Sequence, residues 1–213
     1  MTGAGRGELT VYYDFASSFC YIARAIVQRL VESRGVSVTW LPFEVIDYLP
    51  PKGAMPQNPA FVRRGEAARA QRLAEHYGLT LHARERLLNS NLALCAVEHV
   101  REATGDAGPV DRIHGALFDA FYRDQRDIGS LATILDIAVE MGLLDGLEAA
   151  LRSERFKERV AQSRVDAHAK GIVAVPTWLS HDYGIVGIVE YPEYERLLAI
   201  AERGSPVGAA STL

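Results

Sequence analysis

Residues 9–15, LTVYYDF, are apolar and β-prone and predict a strand. After Ala16-Ser17-Ser18-Phe19, the apolar positions Ile22, Ala23, Ile26, Val27 and Leu30 recur at helical spacing, which predicts a helix over 20–31. Residues 36–43, VSVTWLPF, turn β-prone again. Strand, helix and strand in so short a stretch make a βαβ unit with parallel strands. Residues 47–59 carry Pro50, Pro51, Gly53, Pro56 and Pro59 and predict a loop free of regular structure. The pattern is then helical almost without relief, over 60–77, 90–103, 110–123, 130–141 and 153–170. Breaks fall at Gly78, Gly105-Asp106, Asp127-Ile128-Gly129 and Gly142. Two short β-prone runs, 171–179 and 183–189, join through Ser180-His181-Asp182 and predict an antiparallel hairpin. A last helix is expected over 191–203, followed by a frayed tail of small residues.

The order is βαβ, a block of helices, then ββα. Two such halves sharing one mixed sheet give an α/β chain of thioredoxin topology, with a large all-helical insertion between them. The expected division is a discontinuous thioredoxin-like domain, 8–45 and 171–203, around a helical subdomain, 58–170. Composition agrees: 48% hydrophobic and 23% charged residues in 213 supply a core of globular size. A net charge of −4 without a basic stripe points away from nucleic acid. No apolar run approaches the roughly 20 residues that span a bilayer, and the first eight residues lack the apolar stretch of a secretory signal. A soluble, cytoplasmic protein is expected, with Cys20 and Cys95 as free thiols.

Two places carry candidate chemistry. The first is the strand-to-helix turn, Asp14-Phe15-Ala16-Ser17-Ser18-Phe19-Cys20. Unpaired N–H groups and the positive end of the helix dipole there favour an anion, so a thiol held at the turn gains thiolate character. The plain alternative is that Ser17 or Ser18 only caps the helix. The second is Val175-Pro176-Thr177. A cis bond would turn the Val175 N–H and C=O out of the sheet, toward an extended thiol compound. The plain alternative is a trans proline opening an edge strand.

These residues resemble a known family. The strand, Asp14-Phe15 and a four-residue motif closing on Cys20-Tyr21-Ile22 look like the start of DsbA-family oxidoreductases, which carry Cys-Pro-Trp-Cys-Tyr there. Trp40-Leu41-Pro42-Phe43-Glu44 with Pro50-Pro51-Lys52-Gly53, Asn89-Ser90 leading to Ala93, and Gly171 through Trp178 resemble later segments of the same family. The last of these matches the family's cis-proline segment. The departure is at the motif: Ser17 stands where the attacking cysteine would be, so the two-cysteine exchange cycle cannot run. A second branch of the family, 2-hydroxychromene-2-carboxylate isomerases and kappa-class glutathione transferases, carries serine at that position.

That resemblance implies glutathione as cofactor, its sulfur accepting a hydrogen bond from Ser17. It implies that Phe19, Val175 and Pro176 border the thiol, with Asn89 orienting a second substrate. A small thiol or organic acid is the expected partner, and a homodimer is common in the transferase branch. A variant keeps weak thiol–disulfide exchange through Cys20, making Ser17 and Cys20 the expected catalytic pair. A binding module gripping extended peptides along the Pro176 strand is the alternative from outside enzymology. The six histidines show no metal-ligand spacing with the cysteines, so no metal is expected. His168 and His181 flank the Pro176 segment and are candidate acids or bases. Arg63, Arg64, Arg69 and Arg72 read as a solvated face, any one of which could meet an anionic substrate.

Overall fold

A computed structural model describes residues 7–55, 63–82 and 86–202, and the side chains within these ranges apart from Arg63, Arg64 and Glu202. The tail, Pro56 and Pro59, and the expected domain limits at 58 and 203 lie outside the described residues.

Strand β1 (Glu8–Tyr13) lies inside a four-stranded sheet. It pairs in parallel with β2 (Ser37–Pro42) and antiparallel with β3 (Thr177–Ser180), which pairs with β4 (Tyr183–Val186); the order is β2-β1-β3-β4. The alternation of β1 splits its side chains between two cores. Leu9, Val11 and Tyr13 join Trp40 and Trp178 in the main core, while Tyr12 joins Phe43, Ala167 and Ile172 in a smaller one.

Helix α1 (Ser18–Arg34) buries Tyr21, Ile22, Ala23, Ile26, Val27 and Leu30 in the main core. It stops where Gly35 takes a φ of 65° and its N–H caps the Val31 carbonyl at 2.8 Å. Between β2 and β3 run α2 (Arg63–His76), α3 (Asn91–Thr104), α4 (Ala107–Tyr122), α5 (Leu131–Met141), α6 (Leu147–Arg152) and α7 (Arg155–Ala169). Helix α3 is the hub, packing on α4, α6 and α7. Helix α8 (Tyr191–Glu202) returns to the main-core face, with Tyr194 against Trp178 at 4.5 Å between ring centroids.

Three departures from the sequence pattern have local causes. Helix α4 begins at Ala107 rather than residue 110, because Asp106 caps the Gly108 N–H at 3.0 Å and the first turn tolerates Pro109. The loop after β2 is not wholly irregular: Ala54 forms an antiparallel bridge with Leu87. The stretch 171–176 is not strand; β3 begins only after Pro176, as a residue without an N–H dictates. Helix α6 had no signal in the sequence pattern, since its six residues bury only Leu147 and Leu151.

Candidate functional site

The turn between β1 and α1 is shaped by a carboxylate. Asp14 is fully buried, its Oδ1 accepting the Ala16 N–H at 3.0 Å and its Oδ2 accepting the Val45 N–H at 2.7 Å. Its backbone carbonyl accepts the Ser17 N–H at 3.1 Å. Burial raises the Asp14 pKa above the usual carboxylate range, against these hydrogen bonds and one from Ser90. A single side chain thus ties together the ends of β1 and β2 and sets the direction of α1.

Ser17 occupies the N-cap position in extended conformation, φ −98° and ψ 115°, yet its side chain makes no capping bond. Its carbonyl accepts the Cys20 N–H at 3.0 Å and the Tyr21 N–H at 3.3 Å. Among the described residues the N–H groups of Ser18 and Phe19 have no backbone partner, and the first turn holds no acidic residue. This half-exposed corner therefore presents a hydroxyl, two free donors and the positive end of a 17-residue helix.

Cys20 is different. It has no exposed surface, and burial pushes its thiol up to about 12, opposed by the Asp14 backbone and the Ser17 hydroxyl. At neutral pH it is a thiol, not the nucleophilic thiolate. Cys95 is also buried; burial pushes it up to about 12, and its Sγ lies 3.6 Å from Asn91 Oδ1. The two cysteines are not bonded to each other.

The register of β1 with β3 sets Tyr12 opposite Thr177. The preceding Pro176 therefore stands level with the end of β1, from which the Ser17 turn departs. The Val175–Pro176 bond is cis. Thr177 Oγ1 donates to the Ala174 carbonyl at 2.7 Å, and the Gly187 N–H donates to the Pro176 carbonyl at 2.7 Å. Val175, half-buried between the two cores, makes no backbone hydrogen bond among the described residues.

The other expected site residues separate. Phe19 is half-buried, and the Arg69 guanidinium lies 5.4 Å above its ring. Asn89 spends both ends of its amide on the protein, donating to the Leu49 carbonyl at 2.7 Å and accepting from the Asn91 N–H at 3.1 Å. His181 sits in the β3–β4 turn with φ 53°, at the end of the sheet opposite Ser17, so it cannot serve there. His168 packs on Phe43 on the α7 face and accepts from Arg164 at 3.4 Å. The sequence placed Asp14 and Glu44 within motifs but gave neither a role of its own. The signal was a carboxylate closing an apolar strand run in each case. Among the described residues no group of three or more His, Cys, Asp or Glu is placed to hold a metal ion, and no helix is long and apolar enough to cross a membrane.

Two open grooves mark the surface. One, of about 570 Å³, runs between α7 and the face of the sheet and is lined by Tyr12, Leu41, Arg159 and Lys170 among others. The second, of about 500 Å³, lies between α2 and the start of α8. Neither is lined by Ser17, Cys20 or Pro176.

Residues 8–199 match the sequence profile of the DSBA-like thioredoxin domain. The chain belongs to that family. Protein YwbO of Bacillus subtilis, itself uncharacterised, is 24% identical over 197 residues, 90% of this chain and 96% of its own length. Among solved structures of this DSBA-like fold, SCO1869 of Streptomyces coelicolor, described as a probable DsbA oxidoreductase, superposes with a TM-score of 0.80. It is 18% identical, over 96% of this chain and 94% of its own. A 2-hydroxychromene-2-carboxylate isomerase has a TM-score of 0.73 at 18% identity, over 92% and 95% of the two chains. The cytosolic disulfide reductase DsbM of Pseudomonas aeruginosa, solved with GSH, has a TM-score of 0.62 at 19% identity, over 92% and 96%.

Proposed function

We propose that this DSBA-like chain is a cytoplasmic enzyme that binds a small thiol, glutathione, and uses it in isomerisation or conjugation of an organic acid or electrophile. The sulfur rests against the Ser17 hydroxyl and the free N–H groups of Ser18 and Phe19. The Val175 N–H and C=O run alongside the peptide part. The observation that carries the reading is the contrast within the motif: Ser17 is open and makes no capping bond, while Cys20 is sealed with its thiol near 12. A donor hydroxyl at a helix N-terminus stabilises a bound thiolate and cannot be oxidised onto it. Similarity to a fold neighbour solved with GSH, and to another that is an isomerase, supports the same chemistry. Exchange through Cys20 is disfavoured by its burial and high pKa. Asn89 is left out of substrate orientation because its amide is already occupied.

Thermal unfolding with glutathione tests the proposal. At about 100 times its dissociation constant the ligand adds about 2.7 kcal/mol of stability. That gain is expected in the wild type and in Cys20→Ala, and is expected to shrink in Ser17→Ala. No response to glutathione in the wild type overturns the reading in favour of a peptide-binding module.

A further inference from the structure

We propose that the groove between α7 and the sheet is a second ligand site, taking a polyol or sugar that carries an oxyanion at each end. It lies on the face of the sheet opposite α1 and Ser17, because Tyr12 alternates away from Val11 and Tyr13, which share the main core with α1. The groove holds about 570 Å³, within the range of small-molecule sites. Arg155, Arg159, Gln162, Asp166 and Lys170 recur every three or four residues and line it as one stripe, running down α7 to its C-cap.

Each end of the stripe carries positive charge that the protein does not neutralise. Tyr12, only 1% exposed, lines one end. The Lys170 ammonium faces its hydroxyl oxygen at 3.5 Å, longer than the roughly 2.9 Å of a well-made bond. An ammonium only donates, so the buried phenol proton has no acceptor among the described residues, and Lys170 has no carboxylate partner there either. An oxyanion between the two accepts from both. At the other end Arg155 and Arg159 converge on a single oxygen, Glu102 Oε2, the first of them at 2.6 Å. Two guanidinium groups share one carboxylate, which leaves a net positive charge and unused N–H donors. Arg159 and Lys170 stand about 16 Å apart along the helix axis at about 1.5 Å per residue, and both side chains are long enough to close part of that span. The middle selects what joins the ends. Glu158 makes no side-chain hydrogen bond or ion pair among the described residues, and Asp166 accepts there only from Gln162, at 2.8 Å. These carboxylates repel a continuous polyanion and accept from hydroxyl groups.

Calorimetric titration of the full chain tests the site with two probes: fructose 1,6-bisphosphate, and glucarate, a six-carbon polyol with a carboxylate at each end. At least one is expected to bind the wild type, and the tighter of the two identifies the ends as phosphate or carboxylate. Removing one anionic end, as in fructose 6-phosphate or gluconate, is expected to weaken binding. Lys170→Met and Arg159→Gln are each expected to weaken the tighter probe by about threefold or more. Tyr12→Phe, which keeps the ring and removes the phenol proton, is expected to weaken it without lowering the melting temperature. Ser17→Ala is expected to leave it unchanged. Binding of neither probe, or affinities indifferent to both Lys170→Met and Arg159→Gln, overturn the inference. Binding that is lost with Ser17→Ala instead assigns the anion to the start of α1 and also overturns it.

Discussion

Ser17 and Cys20 are joined through the backbone, Cys20 N–H donating to the Ser17 carbonyl at 3.0 Å, yet stand on opposite sides of the protein surface. Ser17 is half-exposed; Cys20 has no accessible area. The helix sets this: one turn carries the first residue at the rim and the second onto the face that packs against the main core.

The thiols are therefore expected to be silent. Both cysteines are free and buried, with burial pushing each thiol up to about 12. Alkylation of the native protein at neutral pH should proceed only as fast as the chain unfolds, and denaturant should release both thiols at once. Rapid labelling of Cys20 in the folded protein would restore it as a nucleophile.

His114 is another buried titratable group, packed at 4.2 Å on Trp40 and 4.5 Å from the Tyr13 ring, with its Nε2 unpartnered among the described residues. Burial first, then Arg24 and Arg101, hold its pKa well below 6.5. The stability this contributes is present above the unfolded value of about 6.5 and is lost as pH falls below it, by at most about 1.4 kcal/mol per pH unit. His114→Phe is expected to flatten that acid limb. It should also gain about 1 kcal/mol at neutral pH by removing the orphaned nitrogen. Urea unfolding at pH 7 and pH 5.5 checks both effects, and a variant with the wild-type acid limb contradicts them.

Glu44 behaves in the opposite sense. Burial raises its carboxyl, opposed by a 2.9 Å hydrogen bond from Asn91 Nδ2. A raised folded pKa favours folding below the ordinary carboxylate range, and that contribution is lost as pH rises through the folded value. Glu44→Gln keeps an acceptor for Asn91 and removes the charge. It is expected to be more stable than the wild type at pH 7 and equal to it near pH 4, read from melting temperatures across that interval. Equal curves at every pH would show Glu44 to be solvated.

The loop after β2 is pinned at Gly53. It has φ 66°, and a Cβ there would stand 2.0 Å from the Leu87 carbonyl oxygen. Gly53→Ala is expected to cost more than about 2 kcal/mol and to break the Ala54–Leu87 bridge. Chemical denaturation measures it; a loss under about 0.5 kcal/mol would mean that the loop moves freely.

Periodicity revealed β1, α1, β2, the long helices and the hairpin because each shows a repeat of two or 3.6 over enough residues to stand out. It missed α6, which is too short for a repeat, and put the start of α4 three residues late because Gly108-Pro109 resembles a break. The site was legible only in part. Ser17 at the turn follows from a strand running into a helix. The tie from Asp14 to Val45 does not, because it joins residues 31 positions apart. Asn89 and His181 show the same limit. One is drawn inward by Leu49, and the other is carried to the far end of the sheet by the direction of β3.

The most direct measurement is the ultraviolet thiolate absorbance of glutathione mixed with the protein at pH 7. A thiolate signal is expected with the wild type and with Cys20→Ala, and its loss is expected with Ser17→Ala. An absent signal, or one that vanishes with Cys20 instead of Ser17, contradicts the assignment of the sulfur to the Ser17 hydroxyl.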